Sequence, residues 1–272
     1  MSPVWTLDPI AFIMPFVNMP VRYYGIIFGL MLIGGFFLFR WQIVRSGASE
    51  DEAYAFVLPG VLGVLIGARL GHVFFYNYDK FLDNPAWLFA VWEGGLASHG
   101  ATLGLLAALA WHSYRFKRPF WDTGDRFVFS AALGAAMVRL GNFFNSEIVG
   151  KVTDGPLGIR FPLYDRLPAE FTPPRYPSQL VEFFIGLFVL GSLFWLDKKL
   201  GKENRPRGAL SAAFLILYFS GRFLVEFIKE RHGAVDSFIL SRGQLLSLPP
   251  LVCGLVLAAL VYAKYKDSKR SY

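Results

Sequence analysis

Apolar residues in this chain fall in blocks of about 20, the length that an α-helix needs to cross ~30 Å of hydrocarbon. Hydropathy along the sequence predicts seven membrane spans. They lie at residues 21–39, 54–76, 91–111, 127–145, 178–196, 209–228 and 243–263. The chain is 54% hydrophobic and 17% aromatic, as this class requires. The sequence therefore predicts an all-α integral membrane protein that forms one polytopic domain over residues 1–272.

The distribution of basic residues predicts the orientation of these spans. The segments that follow spans one, three and five, together with the C-terminal tail, hold more than half of the 27 Lys and Arg residues. Because cytoplasmic loops carry an excess of positive charge, we expect the N-terminus outside and the C-terminus in the cytoplasm. The net charge of +7 then reflects topology and attraction to the anionic leaflet, and no nucleic-acid partner is expected.

Two segments outside the spans are expected to form structure on the outer side. Residues 146–177 hold six prolines, too many for a helix but compatible with a small head of turns and short strands. Residues 1–20 carry Trp5, Phe12 and Phe16 and are expected to form an arm at the lipid interface. They contain no Lys or Arg, so we expect no cleaved signal peptide. The single cysteine excludes a disulfide framework within the chain.

Three arginines lie inside the predicted spans: Arg69, Arg139 and Arg222. Each should cost roughly 2.5–3.5 kcal/mol to place in hydrocarbon even on the lenient insertion scale, so each is expected to face a polar cavity or an anionic ligand. Arg69 lies beside His72 in a motif of two glycines four residues apart, which is typical of close helix contacts. For Arg69, a structural role and ligand binding are therefore equally expected.

The densest group of polar residues near a span surrounds Arg139. Spacings of three along a helix put Asn142 and Asn145 on the same face as the guanidinium, and this face suits an anionic head group. The alternative is an ion pair between Arg139 and Glu147 that, together with the amides, only ends the helix.

Span six repeats the pattern with Tyr218, Arg222 and Glu226 at spacings of four. Glu226 is expected to neutralise Arg222 and fix its rotamer, while Tyr218 offers a hydroxyl one turn away. A purely structural ion pair between the two charged residues is the alternative.

His99 carries the strongest chemical signal among the four histidines. It follows residues 92–95, Trp-Glu-Gly-Gly, where glycines permit tight turns and polar residues interrupt an apolar span. A neutral imidazole there can take a proton from a nucleophile. The alternative is a histidine that is merely bonded to a carbonyl group. The other histidines have no partners at metal-ligand spacing, so no metal site is expected.

Seven stretches of the chain carry a family resemblance. They are RYYGIIFGL at 22–30, GARLGHVFFYN at 67–77, WEGGLASHG at 92–100, RLGNFFNSEIVG at 139–150, YPSQLVEF at 176–183, GRFLVEF at 221–227 and RGQLLSLP at 242–249. In this order they resemble the phosphatidylglycerol:prolipoprotein diacylglyceryl transferase family. The RLGNFFNSEIVG block is the most specific, because it matches that family's signature in both residue types and spacing.

The resemblance implies an enzyme of the bacterial inner membrane. It would move the diacylglyceryl group of phosphatidylglycerol onto the lipobox cysteine thiol of a prolipoprotein and release glycerol phosphate, the first step of lipoprotein maturation. The implied partners are phosphatidylglycerol, the lipobox peptide and membrane lipids. No cofactor is expected.

Matched motif by motif, the resemblance assigns roles to individual residues. The family's essential histidine falls on His99 and its signature arginine on Arg139, and a later essential tyrosine and arginine fall on Tyr218 and Arg222. Residues expected to contact substrate are Tyr24, Arg69, Asn142, Asn145, Glu147, Gly150 and Glu226. Two positions depart from the family pattern, since Ala101 stands where a glycine is frequent and Lys229 where an arginine is frequent.

These observations predict direct attack by the substrate thiolate on the glyceryl carbon of the lipid, without an acyl-enzyme. Arg139 and Arg222 would stabilise charge on the departing phosphate, and His99 would take the proton of a thiol with a pKa of about 8.5. If His99 only orients the lipid, the base is Glu147, a tyrosine or water.

Two other functions remain open at this point. One is a transporter or flippase that binds an anionic lipid or solute through the intramembrane arginines. The other is a phospholipid head-group transferase, which commonly uses carboxylate-bound metal, and no suitable acidic cluster occurs in the sequence.

Overall fold

A computed structural model describes residues 2–90, 94, 95, 97–230 and 240–270 of the chain. Trp92 and Glu93, two residues of the sequence motif before His99, lie outside these residues. The helices are α1 Tyr23–Arg45, α2 Glu50–Tyr76, α3 Tyr78–Asp83, α4 Ser98–Arg115, α5 Phe120–Phe144, α6 Pro162–Asp165, α7 Ser178–Lys199, α8 Ala209–Val225 and α9 Arg242–Arg270. The strands are β1 Ile10–Met14, β2 Met19–Arg22, β3 Ile159–Arg160 and β4 Pro174–Arg175.

Each of the seven predicted spans overlaps one of the longer helices. Five of them, α1, α2, α5, α7 and α9, are long and apolar enough to cross a membrane within the described part of the chain. Helix α8 is equally apolar but shorter, with 17 residues. The predicted helical membrane class is therefore confirmed, while the number of seven spans stays a prediction. The described residues also include four strands of two to five residues, two of them in the predicted head.

The start of the third predicted span also needs correction. Helix α4 begins at Ser98 rather than at residue 91. The reason is that Gly94 and Gly95 have φ angles of +80° and +78°, which a right-handed helix cannot contain. Gly94, Gly95 and Ala97 therefore lie before the helix as non-helical backbone.

The chain divides into two compact units. The larger unit comprises Met1–Leu38 and Phe127–Tyr272, and the smaller unit comprises Phe39–Arg126. In the smaller unit, helices α2 and α4 cross at glycines. A Cβ atom added at Gly104 would overlap the carbonyl oxygen of Gly63, and one added at Gly100 would overlap that of Gly67. The two backbones thus touch directly, as the glycine spacing on α2 predicted.

Replacing Gly104 by alanine is expected to destabilise the smaller unit by roughly 3 kcal/mol, because α2 and α4 must move apart to admit the methyl group. The measurement is the apparent unfolding temperature in detergent. Gly191 on α7 has no atom within 4 Å of an added Cβ, so Gly191→Ala is the matched control. An unfolding temperature for Gly104→Ala equal to that of the control would contradict the direct backbone contact.

The smaller unit also holds buried polar groups, where α2 begins and α4 ends. Arg118 forms an ion pair with Glu52, and the Nε2 atom of His112 lies 3.0 Å from the carbonyl oxygen of Glu52. His112 is fully buried, and its ring packs against those of Phe39 and Phe56. This histidine therefore has a structural environment.

In the larger unit, α7 packs between α5 and α8. Its apolar core is formed by Val128, Phe129, Ala132, Val189, Leu193 and Leu210. Towards the other end of these helices, a Cβ atom on Gly186 would lie 2.8 Å from the Cα atom of Ala136, and one on Gly221 would lie 2.6 Å from Cγ2 of Ile185. Small residues thus let α7 approach α5 and α8 closely, within one turn of the charged residues described below.

Residues 146–177 form the expected head of turns and short strands. Strands β3 and β4 pair antiparallel, with Ile159 opposite Arg175. The core of the head consists of Phe143, Val149 and Phe161, with Trp5 packed against it. The chain before β1 belongs to this structure, because Trp5 N donates to Arg160 O at 2.9 Å. In return, Arg160 N donates to Pro3 O at 2.9 Å, so the first residues pair with β3 of the head.

Residues 10–22 form a hairpin of β1 and β2, which pair antiparallel from Ile10 and Arg22 to Met14 and Met19. At its turn the Phe16 side chain is 96% exposed and that of Val17 is 63% exposed. Apolar side chains at an exposed tip are typical of a segment that lies at the lipid interface. The location of residues 1–20 at this interface stays a prediction, which the exposed tip supports.

Candidate active site

Three helices of the larger unit each contribute one charged side chain to a common cluster. Arg139 lies on α5, Glu182 on α7 and Arg222 on α8. The Nε atom of Arg139 lies 2.8 Å from Oε2 of Glu182, and Nη1 of Arg222 lies 3.7 Å from Oε1. Lys229 follows α8, and its Nζ atom lies 3.4 Å from the same Oε1. One buried carboxylate therefore contacts three cations.

Glu226 completes this group, which we call the charged cluster: Arg139, Glu182, Arg222, Glu226 and Lys229. Its Oε1 atom lies 3.2 Å from Nζ of Lys229, and its Oε2 atom accepts a hydrogen bond of 2.9 Å from Ser241 Oγ. This corrects the expected pair of Arg222 with Glu226. The reason is that α8 ends at Val225, and the turn that follows brings Lys229 beside Glu226.

The charged cluster carries a surplus of one positive charge. It contains three cations and two carboxylates, and its innermost members, Glu182 and Lys229, are buried. Buried charge in a membrane helix bundle is stable only when it is paired, so the surplus favours an anion of single charge beside it. A phosphodiester has this charge.

Helical spacing predicted that Asn142 and Asn145 lie on the same face as Arg139, and the structure shows this for Asn142. Asn142 is buried, and its Oδ1 atom lies 3.5 Å from Nη1 of Arg139. Asn145 instead donates through Nδ2 to Glu147 Oε1 at 3.3 Å. The alternative pair of Arg139 with Glu147 is not what the structure shows, because the carboxylate beside Arg139 belongs to Glu182.

The loop after α5 has an unusual backbone. Ser146 and Ile148 have φ angles of +55° and +58°, a conformation that costs of order 1–3 kcal/mol for residues with a side chain. Two side chains at the start of α7 hold the loop in place. Gln179 Nε2 donates to Glu147 O at 2.7 Å, and Ser178 Oγ donates to Ile148 O at 2.9 Å. The position of Glu147 is thus fixed by α7.

Gly150 lies between two backbone segments, one on each side. Its N–H donates to Tyr176 O at 2.9 Å, and the neighbouring Lys151 N–H donates to Ile228 O at 2.8 Å. A Cβ atom on Gly150 would lie 2.6 Å from Tyr176 Cβ and 2.7 Å from Ile228 O, so only glycine fits without a shift. This contact holds Lys229, the next residue, beside the charged cluster.

A second group of ion pairs holds the same segment to the head. Arg175 Nη2 lies 2.6 Å from Asp165 Oδ1, its Nη1 lies 3.0 Å from Glu230 Oε2, and Tyr164 donates its hydroxyl to Glu230. The hydrogen bond to Asp165 raises the pKa of Arg175. Burial, with help from Glu230, raises the pKa of Tyr164. The tyrosine therefore stays a protonated donor at neutral pH.

Tyr24 lies close to the charged cluster. Its ring covers Gly141, where an added Cβ atom would lie 2.7 Å from Cδ2 of the tyrosine. Gly141 lies between Arg139 and Asn142 on α5, so the tyrosine ring borders these two residues along the helix. The structure therefore places Tyr24 beside the signature sequence, and its contact with substrate stays a prediction.

Tyr218 has a different environment. Its ring stacks on Phe214 with 5.5 Å between the ring centroids and an interplanar angle of 5°, and it borders the apolar core of the larger unit. It lies one turn before Arg222 on α8. Packing against the core therefore sets the position of this ring.

Arg69, in the smaller unit, is buried, and its guanidinium donates to backbone carbonyl groups. Its Nε donates to Leu88 O at 2.9 Å, Nη2 to Trp87 O at 2.6 Å and Nη1 to Gly94 O at 2.7 Å. It also lies 4.5 Å from the centroid of the Trp87 ring. Of the two roles expected for Arg69, these contacts support the structural one.

His99 is exposed in the first turn of α4, also in the smaller unit. The loop before it is held by the bond from Arg69 to Gly94 and by the ring of His72, which occupies the space that a Cβ atom on Gly95 would take. Within the described residues, no carbonyl group bonds to the His99 imidazole. The alternative of a histidine tied to a carbonyl therefore has no support in these contacts.

A family model described as "Prolipoprotein diacylglyceryl transferase" matches residues 9–260. The chain belongs to this family. A relative in Aeromonas salmonicida, named phosphatidylglycerol–prolipoprotein diacylglyceryl transferase, is 38% identical over 96% of this chain and 91% of its own length. Relatives of the same name are 37% identical in Actinobacillus pleuropneumoniae, over 96% of both chains, and 39% identical in Vibrio campbellii, over 91% of this chain and 89% of its own.

Sequence reasoning missed one central residue of this family member. Glu182 lies in the quoted stretch YPSQLVEF and inside predicted span five, yet it was given no role. The argument that singled out the intramembrane arginines applies equally to an acidic residue in an apolar span. Lys229 was noted only as a departure from the family pattern, although it contacts both carboxylates of the cluster.

Proposed function

We propose that this chain transfers the diacylglyceryl group of phosphatidylglycerol to the lipobox cysteine thiol of prolipoproteins and releases glycerol phosphate. Family membership and the names of its relatives support this activity. The observation that carries the proposal is the charged cluster, in which Arg139 and Arg222 share Glu182 and leave one positive charge for a phosphodiester.

In the reaction, the thiolate sulfur attacks the glyceryl carbon that is bonded to the phosphate oxygen. The C–S bond forms, the C–O bond breaks, and its electron pair leaves on the phosphate oxygen. The phosphate changes from a diester with one negative charge to a monoester with nearly two negative charges. Arg139 and Arg222 stabilise this added charge, which is a transition-state effect because the charge grows as the bond breaks.

His99 accepts the proton of the substrate thiol in this proposal. Its exposed imidazole at the start of α4 is open to an incoming peptide, and Arg69 holds the loop that leads to it. Tyr24, Asn142, Asn145 and Glu147 orient the lipid head group, and Tyr218 supports the position of Arg222. The reaction needs no cofactor.

The proposed location is the bacterial inner membrane, with the N-terminus outside, the C-terminus in the cytoplasm and the active site towards the outer face. The positive-inside distribution of Lys and Arg supports this orientation. The partners are then membrane phosphatidylglycerol and a secreted prolipoprotein, with no role for nucleic acid.

The test of the proposed function is a transfer assay with purified enzyme in detergent, phosphatidylglycerol and a lipobox peptide. Mass spectrometry should show the peptide heavier by one diacylglyceryl group. A peptide with serine in place of the cysteine is the control and should stay unmodified. Binding of the lipid without modification of either peptide would contradict the transferase and favour the transporter alternative.

Replacing His99 by glutamine is expected to lower kcat about 100-fold to 1000-fold at pH 7, because the thiol loses its general base. As the pH rises towards the thiol pKa of about 8.5, more of the peptide is already thiolate, so the variant should recover part of its rate. The pH profile of kcat is the measurement. Near-full activity at pH 7 would assign the proton to another group.

A further inference from the structure

We propose that Glu182 is a positioning residue for the transfer reaction and also promotes release of the product. Its carboxylate holds Arg139 and Arg222 ready for the lipid phosphate, and its negative charge keeps the charged cluster from retaining glycerol phosphate. This inference rests on the proposed function, because it assigns a further residue to the same site.

The geometry shows how one carboxylate can place two arginines. Oε2 of Glu182 lies 2.8 Å from Arg139 Nε, and Oε1 lies 3.7 Å from Arg222 Nη1. Within the described residues, the Nη2 atoms of both arginines make no hydrogen bond. Arg139 is thus held by a close ion pair and Arg222 by a longer one, and each guanidinium keeps a donor for an anion, which is the pre-organisation that a departing phosphate needs.

Helix packing fixes the backbone that carries Glu182. Glu182 is 4% exposed and lies one turn before Gly186, which touches Ala136 of α5 at the backbone. Ile185, on the same helix, packs on Gly221 next to Arg222. The stretch of α7 that carries Glu182 therefore cannot move without opening both helix contacts, and this keeps the carboxylate between α5 and α8.

Charge balance gives Glu182 its second effect. With Glu182 ionised, the cluster has three cations and two carboxylates, a surplus of one that matches the phosphodiester substrate. Without that charge the surplus becomes two, which matches the monoester product. In a partly buried site such a change strengthens product binding, so turnover slows even where the bond still breaks.

A purely structural role for Glu182 predicts something different. Loss of the carboxylate would then lower the amount of folded enzyme and leave the affinity of each folded molecule for glycerol phosphate unchanged. The affinity for the product therefore separates the two explanations, since charge balance changes it and stability does not.

The experiment compares wild type, Glu182→Gln, Glu182→Asp and Asp197→Asn. Asp197 is a matched control, because it is a buried carboxylate on α7 that pairs with Arg205 at 2.8 Å. It lies about 22 Å along the helix from Glu182. For each variant we measure kcat and the KM for phosphatidylglycerol. The affinity for labelled glycerol phosphate is measured by equilibrium dialysis, with folded protein isolated by size exclusion.

We expect Glu182→Gln to lower kcat about 100-fold through misplaced arginines and to bind glycerol phosphate on the order of tenfold more tightly. Glu182→Asp keeps the charge, so its affinity for glycerol phosphate should stay near that of wild type and its kcat should exceed that of the glutamine variant. Asp197→Asn should match wild type in both quantities for each folded molecule.

An unchanged or weaker affinity of Glu182→Gln for glycerol phosphate would overturn the inference. If the glutamine variant does not fold, tighter binding by the folded aspartate variant, which keeps the charge, would overturn it in the same way. Failure of the proposed function has a separate signature: wild type would not transfer lipid at all, while the dialysis measurement would still test the charge of Glu182.

Discussion

Alanine in place of Arg139 is expected to lower kcat/KM for diacylglyceryl transfer by at least about 1000-fold, the loss typical of removing a principal electrostatic contact to a growing negative charge. The change removes the surplus positive charge of the cluster, since two cations then face two carboxylates. It also removes the contact of 2.8 Å to Glu182 Oε2. The measurement is the initial rate of peptide lipidation at several lipid concentrations.

Two further variants show which property of Arg139 causes the expected loss of kcat/KM. Arg139→Lys keeps the charge but lacks the planar fork of donors, so its rate should fall between those of wild type and alanine. Arg166→Ala removes an exposed arginine of the head and should stay within about threefold of wild type. An Arg139→Ala enzyme that remains within tenfold of wild type would show that this arginine does not act on the reacting phosphate.

Gly150→Ala is expected to lower the transfer rate about 100-fold and to destabilise the protein by roughly 2 kcal/mol. The new methyl group would lie 2.6 Å from Tyr176 O and 2.7 Å from Ile228 O, and neither backbone oxygen can move alone. The segment that carries Lys229 must shift, and the charged cluster shifts with it. Transfer rate and unfolding temperature are measured on the same preparation.

Gly29→Ala is the control for that substitution, because an added Cβ atom on this α1 glycine has nothing within 4 Å. It should keep both the rate and the unfolding temperature. Wild-type activity in Gly150→Ala would mean that the close approach of the two segments is not needed to place Lys229.

Local sequence patterns predicted most of the helices because each apolar block has the length of a membrane span. They failed where the decisive interaction is distant or conformational. The late start of α4 depends on the left-handed conformation of Gly94 and Gly95. The pairing of Trp5 with Arg160 joins residues far apart in the chain, and no local pattern encodes it.

In the candidate site, contacts within one helix could be predicted from the sequence, and contacts between helices could not. Helical spacing correctly placed Asn142 beside Arg139, since both residues lie on one helix. The same reasoning paired Arg222 with Glu226 and overlooked Glu182, because the true partner comes from a neighbouring helix. Only the packing of α7 against α5 and α8 makes that carboxylate common to two arginines.

The central claim is that Arg139 and Arg222 act together on one phosphate through a shared carboxylate. Its most direct test is a double-mutant cycle in single-turnover transfer from phosphatidylglycerol labelled in both glycerols. Wild type should yield one glycerol phosphate for each lipidated peptide, and Arg139→Ala with Arg222→Ala should lose little more than the worse single variant. Two losses that simply add in free energy would contradict the account, because the two arginines would then act independently.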